Sequence, residues 1–577
     1  MHYTGARILI EALIEQGVDT VFGYPGGAVL YIYDELYKYR NRIRHILVSH
    51  EQHAAHAADG YARSTGKTGV CIATSGPGAT NMVTGIATAA IDSVPLVAIT
   101  GNVSTYLLGK DSFQEVDIAG ITMPVVKHNW IVKNVNELAE TVREAFIVAR
   151  SGRPGPVLID IPQNITTAVY PVQGGGLRGQ AETSLGARAQ RLTARNERQT
   201  FTDADIDRAA AMLKDAKRPV LYTGGGVIIS GAEEELKSLA ERLNAPVALS
   251  LMGMGAFPRG HRLCTGLIGM HGTVASNKAV QKADLLVAIG ARFSDRVTSS
   301  TSHFARNAQI LHIDIDPAEI NKNIRASAWV TGDIRAVLTR LLEKLPSKME
   351  TEWNGEIEKW KQALPQNSRG GTKLHPRFAL QETAKHLGDE AIVVSDVGQH
   401  QIWAAQFYPF NRPRSFLTSG GMGTMGYGLG AAVGAGIAKP GNPVVLFTGD
   451  GCFRMNCAEM ATLVRYHIPV LIVIFNNNTL GMVRQWQDFF CEGRYSETDL
   501  DEMPPDFIKL AEAYGVKAYR AADNAGFLEA LEKGLKEIAM GKPALIEASI
   551  DKDERVLPMV PGGKPIDEQI LEGTSEN

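Results

Sequence analysis

Cysteine is scarce in this chain, and its few occurrences follow no structural pattern. Five cysteines in 577 residues stand at positions 71, 264, 452, 457 and 491. That number and spacing fit neither an even-numbered disulfide framework nor a zinc site. We therefore expect reduced thiols that are mostly buried.

Long apolar runs and an excess of either charge are also absent. No apolar stretch reaches the roughly 20 residues of a membrane-spanning helix, and the N-terminus lacks the basic and then apolar pattern of a signal peptide. The formal net charge of -3 gives no electrostatic argument for binding nucleic acid or an acidic membrane. These absences favour a soluble protein of a reducing compartment, which we expect to be cytoplasmic.

Glycine, by contrast, is abundant, with 58 residues, as expected where many strands turn into helices. Short apolar runs alternate with helical stretches in three parts of the chain, which favours α/β domains with parallel sheets. Because 577 residues are too many for one core, we predict three doubly wound parallel-sheet domains. The predicted boundaries are 1–170, 201–345 and 374–550 for the domains, 171–200 and 346–373 for two linkers, and 551–577 for a tail. The predicted strands cover residues 20–22, 45–48, 69–73, 96–100 and 157–161, then 220–222, 247–249, 285–289 and 310–313, and finally 391–395, 444–447 and 470–475.

The most informative pattern lies in the third of these segments. One apolar run leads into Gly-Asp-Gly at 449–451, and a second leads into Asn-Asn-Asn at 476–478, with a helical stretch between them. Two parallel strands joined by a helix would place Asp450 and Asn477 side by side, at the carboxyl ends of neighbouring strands. A carboxylate and an amide oxygen there suit a hard octahedral cation that keeps positions open for diphosphate oxygens. Gly-Asp-Gly alone is a common turn, so the inference depends on the combination.

These two motifs resemble the thiamin-diphosphate-binding motif, and further segments resemble the acetohydroxyacid synthase family of large catalytic subunits. The segments are Gly-Tyr-Pro-Gly-Gly at 23–27, His-Glu-Gln at 50–52, Thr-Ser-Gly-Pro-Gly-Ala-Thr-Asn at 74–81 and Phe-Gln-Glu at 113–115. The resemblance covers nearly the whole chain. It implies that the first domain binds the pyrimidine of thiamin, the central domain FAD, and the third domain the diphosphate and Mg²⁺.

Glu51 follows a predicted strand at the start of a helical stretch. An acid is favourable at a helix N-terminus in its own right, so its position alone assigns no role. In the family, the matching glutamate activates thiamin: a carboxylic acid bonded to the aminopyrimidine promotes the imino form, which removes the thiazolium proton.

The resemblance also implies roles for the other residues of the site. The expected catalytic residues are Glu51, Phe113, Gln114 and Met425, the last of which would force thiamin into a bent conformation. The expected contacts of thiamin diphosphate are Gly398, Gln399, His400, Gly449, Gly451 and Met482. The expected metal ligands are Asp450, Asn477 and Thr479.

Glycine-containing turns after strands of the central segment suggest a nucleotide lying across the sheet edge. The resemblance identifies the nucleotide as FAD, bound without net redox chemistry. The expected FAD contacts are Arg153, Gly224, Gly225, His271, Gly272, Arg292 and Asp314. Arg296 would hold the carboxylate of the acceptor through its bidentate fork. Trp486 would favour the extra methylene of 2-ketobutyrate, an effect of about 1–3 kcal/mol, although a tryptophan on a helix face is more often part of a core.

Three positions and one linker depart from the family's usual pattern. Ser294 stands where aspartate is common, Gly430 where proline is usual, and Arg454 where a small or amide residue is usual. The linker near residues 174–200 is also longer than in typical bacterial relatives. These departures leave acceptor preference, local stability and metal-site tuning open, but not the cofactor.

The implied activity is that of a carboligase. Pyruvate would be decarboxylated on thiamin diphosphate, and the hydroxyethyl carbanion transferred to a second pyruvate, giving 2-acetolactate, or to 2-ketobutyrate, giving 2-aceto-2-hydroxybutyrate. This is the first common step of valine, leucine and isoleucine biosynthesis. The family also implies a homodimer or homotetramer, with thiamin between the first segment of one chain and the third of another, and a small regulatory subunit.

Three alternatives remain open at this point. A flavin-dependent pyruvate oxidase is the nearest. Glyoxylate carboligase is weaker, because its relatives lack an acid at the position of Glu51. The third is a non-catalytic scaffold or sensor that keeps the cofactor grooves.

Overall fold

A computed structural model describes residues 2–171, 200–347, 353–362, 373–500 and 502–571. Most of the two predicted linkers, 171–200 and 346–373, lies outside the described residues. Within them, the chain forms three six-stranded sheets in which every strand pair is parallel. This confirms the predicted α/β class.

The first sheet has the strand order β3-β2-β4-β5-β7-β6, and β1 pairs antiparallel with β8 beside it. The strands are β1 (His2–Thr4), β2 (Thr20–Gly23), β3 (Arg44–Leu47), β4 (Gly69–Ala73), β5 (Leu96–Asn102), β6 (Asn129–Ile131), β7 (Pro156–Pro162) and β8 (Val169–Pro171). The helices are Gly5–Glu15, Leu30–Lys38, Glu51–Thr65, Pro77–Asn81, Val83–Ile91, Ile118–Thr122, Leu138–Arg150 and Gln163–Thr167. Since both faces of β4, β5 and β7 are buried, these strands read as continuous apolar runs, as is usual in parallel sheets.

The central sheet has the order β11-β10-β9-β12-β13-β14. Its strands are β9 (Pro219–Thr223), β10 (Val247–Leu249), β11 (Cys264–Leu267), β12 (Leu285–Ile289), β13 (Gln309–Asp314) and β14 (Ala328–Thr331). Its helices are Asp203–Asp215, Gly225–Ser230, Glu233–Leu243, Val274–Lys282, Asp295–Thr298, Ile334–Lys344 and Asn354–Gln362. Counted along the segment, the strand order is 3-2-1-4-5-6, the order of dinucleotide-binding folds, and the crevice lies where the order reverses, between β9 and β12.

The third sheet has the order β16-β15-β17-β18-β20-β19. Its strands are β15 (Ile392–Ser395), β16 (Phe416–Thr418), β17 (Val444–Gly449), β18 (Val470–Asn476), β19 (Lys517–Ala521) and β20 (Ala544–Ser549). Its helices are Pro376–Leu387, Gln399–Phe407, Gly428–Ala438, Asp450–Asn456, Met460–Tyr466, Gly481–Phe490, Phe507–Ala513 and Asn524–Ala539. The first and third sheets share one topology, 2-1-3-4-6-5 in segment order.

The first and third segments pack together within the chain through helices Glu51–Thr65 and Gly428–Ala438. A Cβ added at Gly434 would lie 1.9 Å from the carbonyl oxygen of Ala57, and one at Gly430 would lie 2.9 Å from Cβ of His56. Only glycine permits this approach of the two backbones. Gly430, which departs from the family's usual proline, therefore has a packing role here.

All twelve predicted strands are confirmed within two residues at their ends, and eight strands were missed. The missed strands are β1, β6, β8, β11, β14, β16, β19 and β20. The five cysteines are free thiols, three buried and two partly buried, as expected. Among the described residues, no helix combines the length and the apolar character needed to cross a bilayer.

The last described residues cross from the third segment to the central one. The Val560 N–H donates to the carbonyl of Met270 at 2.8 Å, and Asn277 Nδ2 donates to the carbonyl of Ile566 at 2.7 Å. Val556, Met559 and Ile566 are fully buried. The predicted tail is therefore integrated in the fold over its described part.

Candidate active site

The two residues of the opening motif lie at the same edge of the third sheet. Strands β17 and β18 are parallel neighbours with Gly449 opposite Phe475, so that Asp450 and Asn477 follow the two strand ends. Asp450 begins the helix Asp450–Asn456. The placement predicted from the sequence is thus confirmed.

The environment of Asp450 fits a cation. Asp450 is 2% exposed, and its Oδ2 has no hydrogen-bond partner among the residues that the structure describes. Burial raises the pKa of this carboxyl to about 6, although backbone N–H groups and Arg454 oppose the shift. A buried acceptor without a donor is costly, and a hard cation would satisfy it.

Asn477 and Thr479 complete the possible donor set beside Asp450. The Asn477 Oδ1 accepts from the Thr479 N–H at 3.3 Å and keeps a lone pair for a further partner. The Thr479 hydroxyl donates to the carbonyl of Thr498 at 2.8 Å, which leaves the lone pairs of the hydroxyl oxygen and the backbone carbonyl of Thr479 as possible contacts for a cation. Carboxylate, amide and carbonyl oxygens are the donors that Mg²⁺ accepts.

His400 lies between two glycine backbones next to this pair. A Cβ at Gly398 would approach its imidazole to 2.9 Å, and one at Gly449 to 3.1 Å. Burial lowers the pKa of His400 to about 3, and its Nε2 is buried without a hydrogen-bond partner in the described part of the chain. The start of helix Gln399–Phe407 therefore offers backbone N–H groups and an unpaired ring nitrogen to a ligand. The side chain of Gln399, in contrast, donates to protein atoms.

Met425 lies in a turn that glycine makes possible. Gly423 and Gly426 have φ angles of 69° and 83°, a region that other residues rarely occupy. The methyl group of Met425 would lie 3.6 Å from a Cβ at Gly451. The predicted turn of the backbone around Met425 is thus present.

Asp92, which the sequence did not indicate, holds this turn from the first segment. Its carboxylate accepts from the N–H groups of Gly420 and Gly421 at 2.9 and 2.8 Å. Arg63 bridges Asp92 at 3.0 Å and Asp59 at 2.6 Å. A buried ion pair of this kind needs all its partners, so the turn and the first segment are fixed to each other.

Glu51 is the first residue of helix Glu51–Thr65, capped by His50. It is half-buried, and its Oε2 accepts from Asn81 Nδ2 at 2.9 Å. A Cβ at Gly78 would lie 3.3 Å from Oε1. The small-residue turn at 74–81 thus holds one carboxylate oxygen and approaches the other closely.

Glu459 holds the loop before Glu51 in place. This residue, too, was not identified from the sequence. This fully buried carboxylate accepts through Oε1 from the Ser49 and His50 N–H groups at 2.9 and 3.1 Å, and lies 3.0 Å from His53 Nδ1. Its Oε2 accepts from Thr462 at 2.6 Å. Glu51 is therefore positioned by the third segment of its own chain.

A cavity of about 1010 Å³ opens between the three segments. Ten of the predicted site residues, from different parts of the chain, line this cavity. They are Arg153, Gly224, Gly225, His271, Arg292, Arg296, Asp314, Gly398, Met482 and Trp486. Such a volume suits a large organic ligand.

The floor of the cavity is the crevice between β9 and β12. A Cβ at Gly224 would lie 2.2 Å from the carbonyl oxygen of Gly290, and one at Gly226 would lie 2.6 Å from its Cα. The glycines thus permit two strand-end turns to touch at the switch point of a 3-2-1-4-5-6 sheet. This is the place and backbone geometry of a dinucleotide site.

Arg153 in the cavity wall already has protein partners, and two titratable groups there have shifted pKa values. Arg153 donates to Ser93 Oγ at 2.8 Å and pairs with Glu319 at 2.9 Å. Burial lowers the pKa of His271 to about 4 and raises that of Asp314 to about 6. A ligand here would find a neutral imidazole and an acid that protonates near pH 6.

Gly272 lies outside the residues that line the cavity. Its carbonyl accepts from Gln569 Nε2 at 2.8 Å, and a Cβ would lie 2.5 Å from Oδ1 of Asn277. These contacts give it a role in packing the last described residues. Its expected contact with FAD stays a prediction.

Trp486 and Met482, on one helix of the third segment, and Arg296 of the central segment line the same cavity. The Trp486 ring packs on Phe490 with centroids 5.0 Å apart, and the Arg296 side chain is 68% exposed beside Asp295. An indole wall and an available guanidinium in one cavity can bind a small acid with an apolar end.

None of the seven predicted catalytic or metal residues lines this cavity in the single chain. They are Glu51, Phe113, Gln114, Met425, Asp450, Asn477 and Thr479. Phe113 is 88% exposed, and Gln114 has a φ of 59° in the loop beside Gly76. A strained backbone position of this kind at a residue other than glycine is more frequent at functional sites than elsewhere.

Three family models match the chain in succession. The N-terminal TPP binding domain of thiamine pyrophosphate enzymes matches residues 3–121, the central domain matches residues 206–341, and the C-terminal TPP binding domain matches residues 396–548. Each match lies on one of the three sheets.

Curated relatives match over nearly the full length. The acetolactate synthase large subunit of Corynebacterium glutamicum is 47% identical, covering 97% of this chain and 89% of its own. The probable acetolactate synthase large subunit of Methanocaldococcus jannaschii is 47% identical (97% and 94%). The acetolactate synthase isozyme 3 large subunit of Escherichia coli is 43% identical (99% and 99%).

Proposed function

Because the chain belongs to the thiamine pyrophosphate enzymes and, within them, to the acetolactate synthase large subunits, we propose that it is an acetohydroxyacid synthase. It condenses two molecules of pyruvate to 2-acetolactate, or pyruvate with 2-ketobutyrate to 2-aceto-2-hydroxybutyrate, with loss of CO₂ in each case. The observation that carries this is the 43–47% identity over nearly the whole chain. The same relatives disfavour the pyruvate oxidase alternative.

Thiamin diphosphate, when bound, supplies a nucleophilic carbon that makes decarboxylation of a 2-ketoacid possible. Asn81 occupies Oε2 of Glu51, which leaves Oε1 as the atom that exchanges a proton with the aminopyrimidine. Met425, fixed by its glycine-flanked turn, supports the bent form of the cofactor.

Mg²⁺ is the cation that we assign to Asp450, Asn477 and Thr479. Its charge would offset the cost of keeping Asp450 ionised, since burial raises the pKa of that group to about 6. His400 and the N–H groups at the start of helix Gln399–Phe407, with Gly449 and Gly451, would bind the diphosphate.

FAD is the occupant that we assign to the central cavity. The 3-2-1-4-5-6 strand order, the touching glycine turns and the cavity volume of about 1010 Å³ support a dinucleotide. The acceptor ketoacid would share the mouth of the cavity, with Arg296 on its carboxylate and Trp486 against its alkyl end.

A second copy of the chain would complete the site. Phe113 is 88% exposed, and Glu51 lies outside the cavity that Gly398 lines. Both observations support the family arrangement, in which thiamin lies between the first segment of one chain and the third of another. Since the relatives are named large subunits, we also expect a small regulatory partner.

The test is product analysis with purified protein. With pyruvate, thiamin diphosphate, Mg²⁺ and FAD, we expect 2-acetolactate, and we expect EDTA or omission of thiamin diphosphate to abolish it. Acetate or acetaldehyde as the only product, with flavin reduced by pyruvate at the catalytic rate, would contradict the proposal and favour an oxidase.

A further inference from the structure

A chain of buried amides links Asn477 to the backbone of residues 554–556. Asn477 Nδ2 donates to Gln399 Oε1 at 3.3 Å, and Gln399 Nε2 donates to Gln485 Oε1 at 3.2 Å and to the carbonyl of Glu554 at 2.8 Å. The three amide side chains are at most 7% exposed. They come from three different loops or helices, so their contact is a property of the fold.

The donor-to-acceptor direction of this series of amide hydrogen bonds is fixed at Gln485, the end furthest from Asn477. The Val556 N–H donates to Gln485 Oε1 at 2.8 Å, and the Val556 carbonyl accepts from Gln485 Nε2 at 3.1 Å. Rotating the Gln485 amide by 180° would put N–H against N–H and oxygen against oxygen. Backbone groups cannot exchange donor for acceptor, so Gln485 has one stable orientation.

The orientation of the Gln485 amide in turn fixes the orientation of the Gln399 amide. Both of its partners on this side, Gln485 Oε1 and the Glu554 carbonyl, accept hydrogen bonds, and only an amide nitrogen can satisfy them. Its oxygen must therefore be directed at Asn477, which in turn must present Nδ2. The oxygen of Asn477 is left on the opposite side, where it accepts from Thr479 N–H.

Gly481 makes room for this contact. A Cβ at that position would lie 2.1 Å from Gln399 Oε1 and 2.6 Å from Asn477 Nδ2. Any larger residue would push the two amides apart. The junction is thus shaped for this pairing by the backbone as well as by the side chains.

We propose that Gln399 and Gln485 are positioning residues that transmit the backbone polarity of residues 554–556 to Asn477, so that its oxygen and not its NH₂ group is presented to the cation. This rests on the cation site of the proposed function. Without the two glutamines, only the 3.3 Å bond from the Thr479 N–H would oppose rotation of the Asn477 amide, which would present the two donors of its NH₂ group to Mg²⁺. The segment after the last strand thereby becomes part of the metal site without touching the metal.

The test measures binding of Mn²⁺ in place of Mg²⁺ to the full-length enzyme with thiamin diphosphate, by electron paramagnetic resonance of the free ion. For Gln399→Met we expect the Mn²⁺ dissociation constant to rise by about 10- to 100-fold, as for other residues that orient metal ligands. Gln485→Met acts one step further from the cation and should raise it in the same direction. If Gln399→Met does not fold, Gln485→Met tests the same proposal.

Gln406→Met is the matched control. Gln406 lies on the same helix as Gln399, is 9% exposed, and donates to the carbonyls of Leu557 and His271 at 3.2 and 3.0 Å. It loses a comparable buried bond to the same segment but is not connected to Asn477. We expect a similar loss of thermal stability and an unchanged Mn²⁺ dissociation constant.

Two results would count against different claims. If Gln399→Met and Gln485→Met fold and bind Mn²⁺ as tightly as Gln406→Met does, the positioning role is wrong. If the unaltered enzyme binds no Mn²⁺ with thiamin diphosphate, or Asp450→Asn binds it equally well, the cation site itself is wrong.

Discussion

Replacing Asp450 by asparagine should make the metal-free protein less sensitive to pH. The carboxyl is 2% exposed with one oxygen unpaired, and burial raises its pKa from 3.8 to about 6. At about 1.4 kcal/mol per pKa unit, ionising it in the folded state costs about 3 kcal/mol. Asparagine has nearly the same shape and no proton to lose.

The sign of the pH dependence follows from which state holds the proton. The folded-state pKa of about 6 lies above the unfolded value of 3.8, so between these values the folded protein binds more protons. The free energy of unfolding of the wild type therefore falls as pH rises through this window and stays low above it. Relative to Asp450→Asn, we expect a fall of about 3 kcal/mol in all, with about 1 kcal/mol of it between pH 5 and pH 7.

The assay is unfolding by heat or denaturant in EDTA at pH 5 and pH 7, repeated with Mg²⁺ and thiamin diphosphate. The ligands should stabilise the wild type at pH 7 by mass action and leave Asp450→Asn nearly unchanged. Asp160→Asn is the control, because burial also raises the pKa of Asp160 to about 6 while its partners are Thr100 and Asn102. It should lose the part of the pH dependence that Asp160 contributes, keep the part due to Asp450, and keep the ligand effect.

Parallel pH curves for wild type and Asp450→Asn would refute the assigned cost of burial. Equal stabilisation of both by Mg²⁺ and thiamin diphosphate would refute the assignment of Asp450 as a metal ligand. The pH dependence and the ligand effect are measured separately, so the cost of burying Asp450 and its role as a metal ligand are tested independently.

Two further predictions concern the chemistry. Glu51→Gln should lower turnover of pyruvate by about 100- to 10,000-fold while flavin and thiamin diphosphate still bind, because the amide oxygen can still accept from Asn81; undiminished turnover would remove Glu51 as activator. Trp486→Leu should reduce the preference for 2-ketobutyrate over pyruvate in a competition assay by up to about tenfold, and an unaltered product ratio would remove the selectivity role of the indole.

Position in the sheet separates most of the strands that could be predicted from the sequence from those that were missed. The missed strands β6, β11, β14, β16 and β19 are all edge strands of three to five residues. All but the fully buried β11 also leave some residues partly or wholly exposed. The interior strand β20 was missed for another reason. Glu547 interrupts its apolar run, and this carboxylate accepts from Asn476 at 2.8 Å and from Arg520 at 3.0 Å.

The motif residues could be placed because strand and helix alternation fixes where the carboxyl ends of strands lie. Asp450 and Asn477 needed only one strand-helix-strand unit for this. Glu459 and Asp92 could not be found in this way, since their partners lie more than 300 positions away in the sequence. No local pattern distinguishes such an acid from one on a solvated helix face.

The buried polar groups of the site fall into two kinds. Those with protein partners hold the segments together, and those without partners are candidates for ligand contacts. Glu459 and Asp92 each accept several hydrogen bonds and connect the first segment to the third. Asp450 Oδ2 and His400 Nε2 are as deeply buried but accept no hydrogen bond from the described residues, at a cost of about 1–3 kcal/mol for each unsatisfied group. A ligand that brings a cation to one and a polar group to the other would offset this cost. Two of the buried polar atoms that the described residues leave unsatisfied thus lie at positions where the sequence predicted binding.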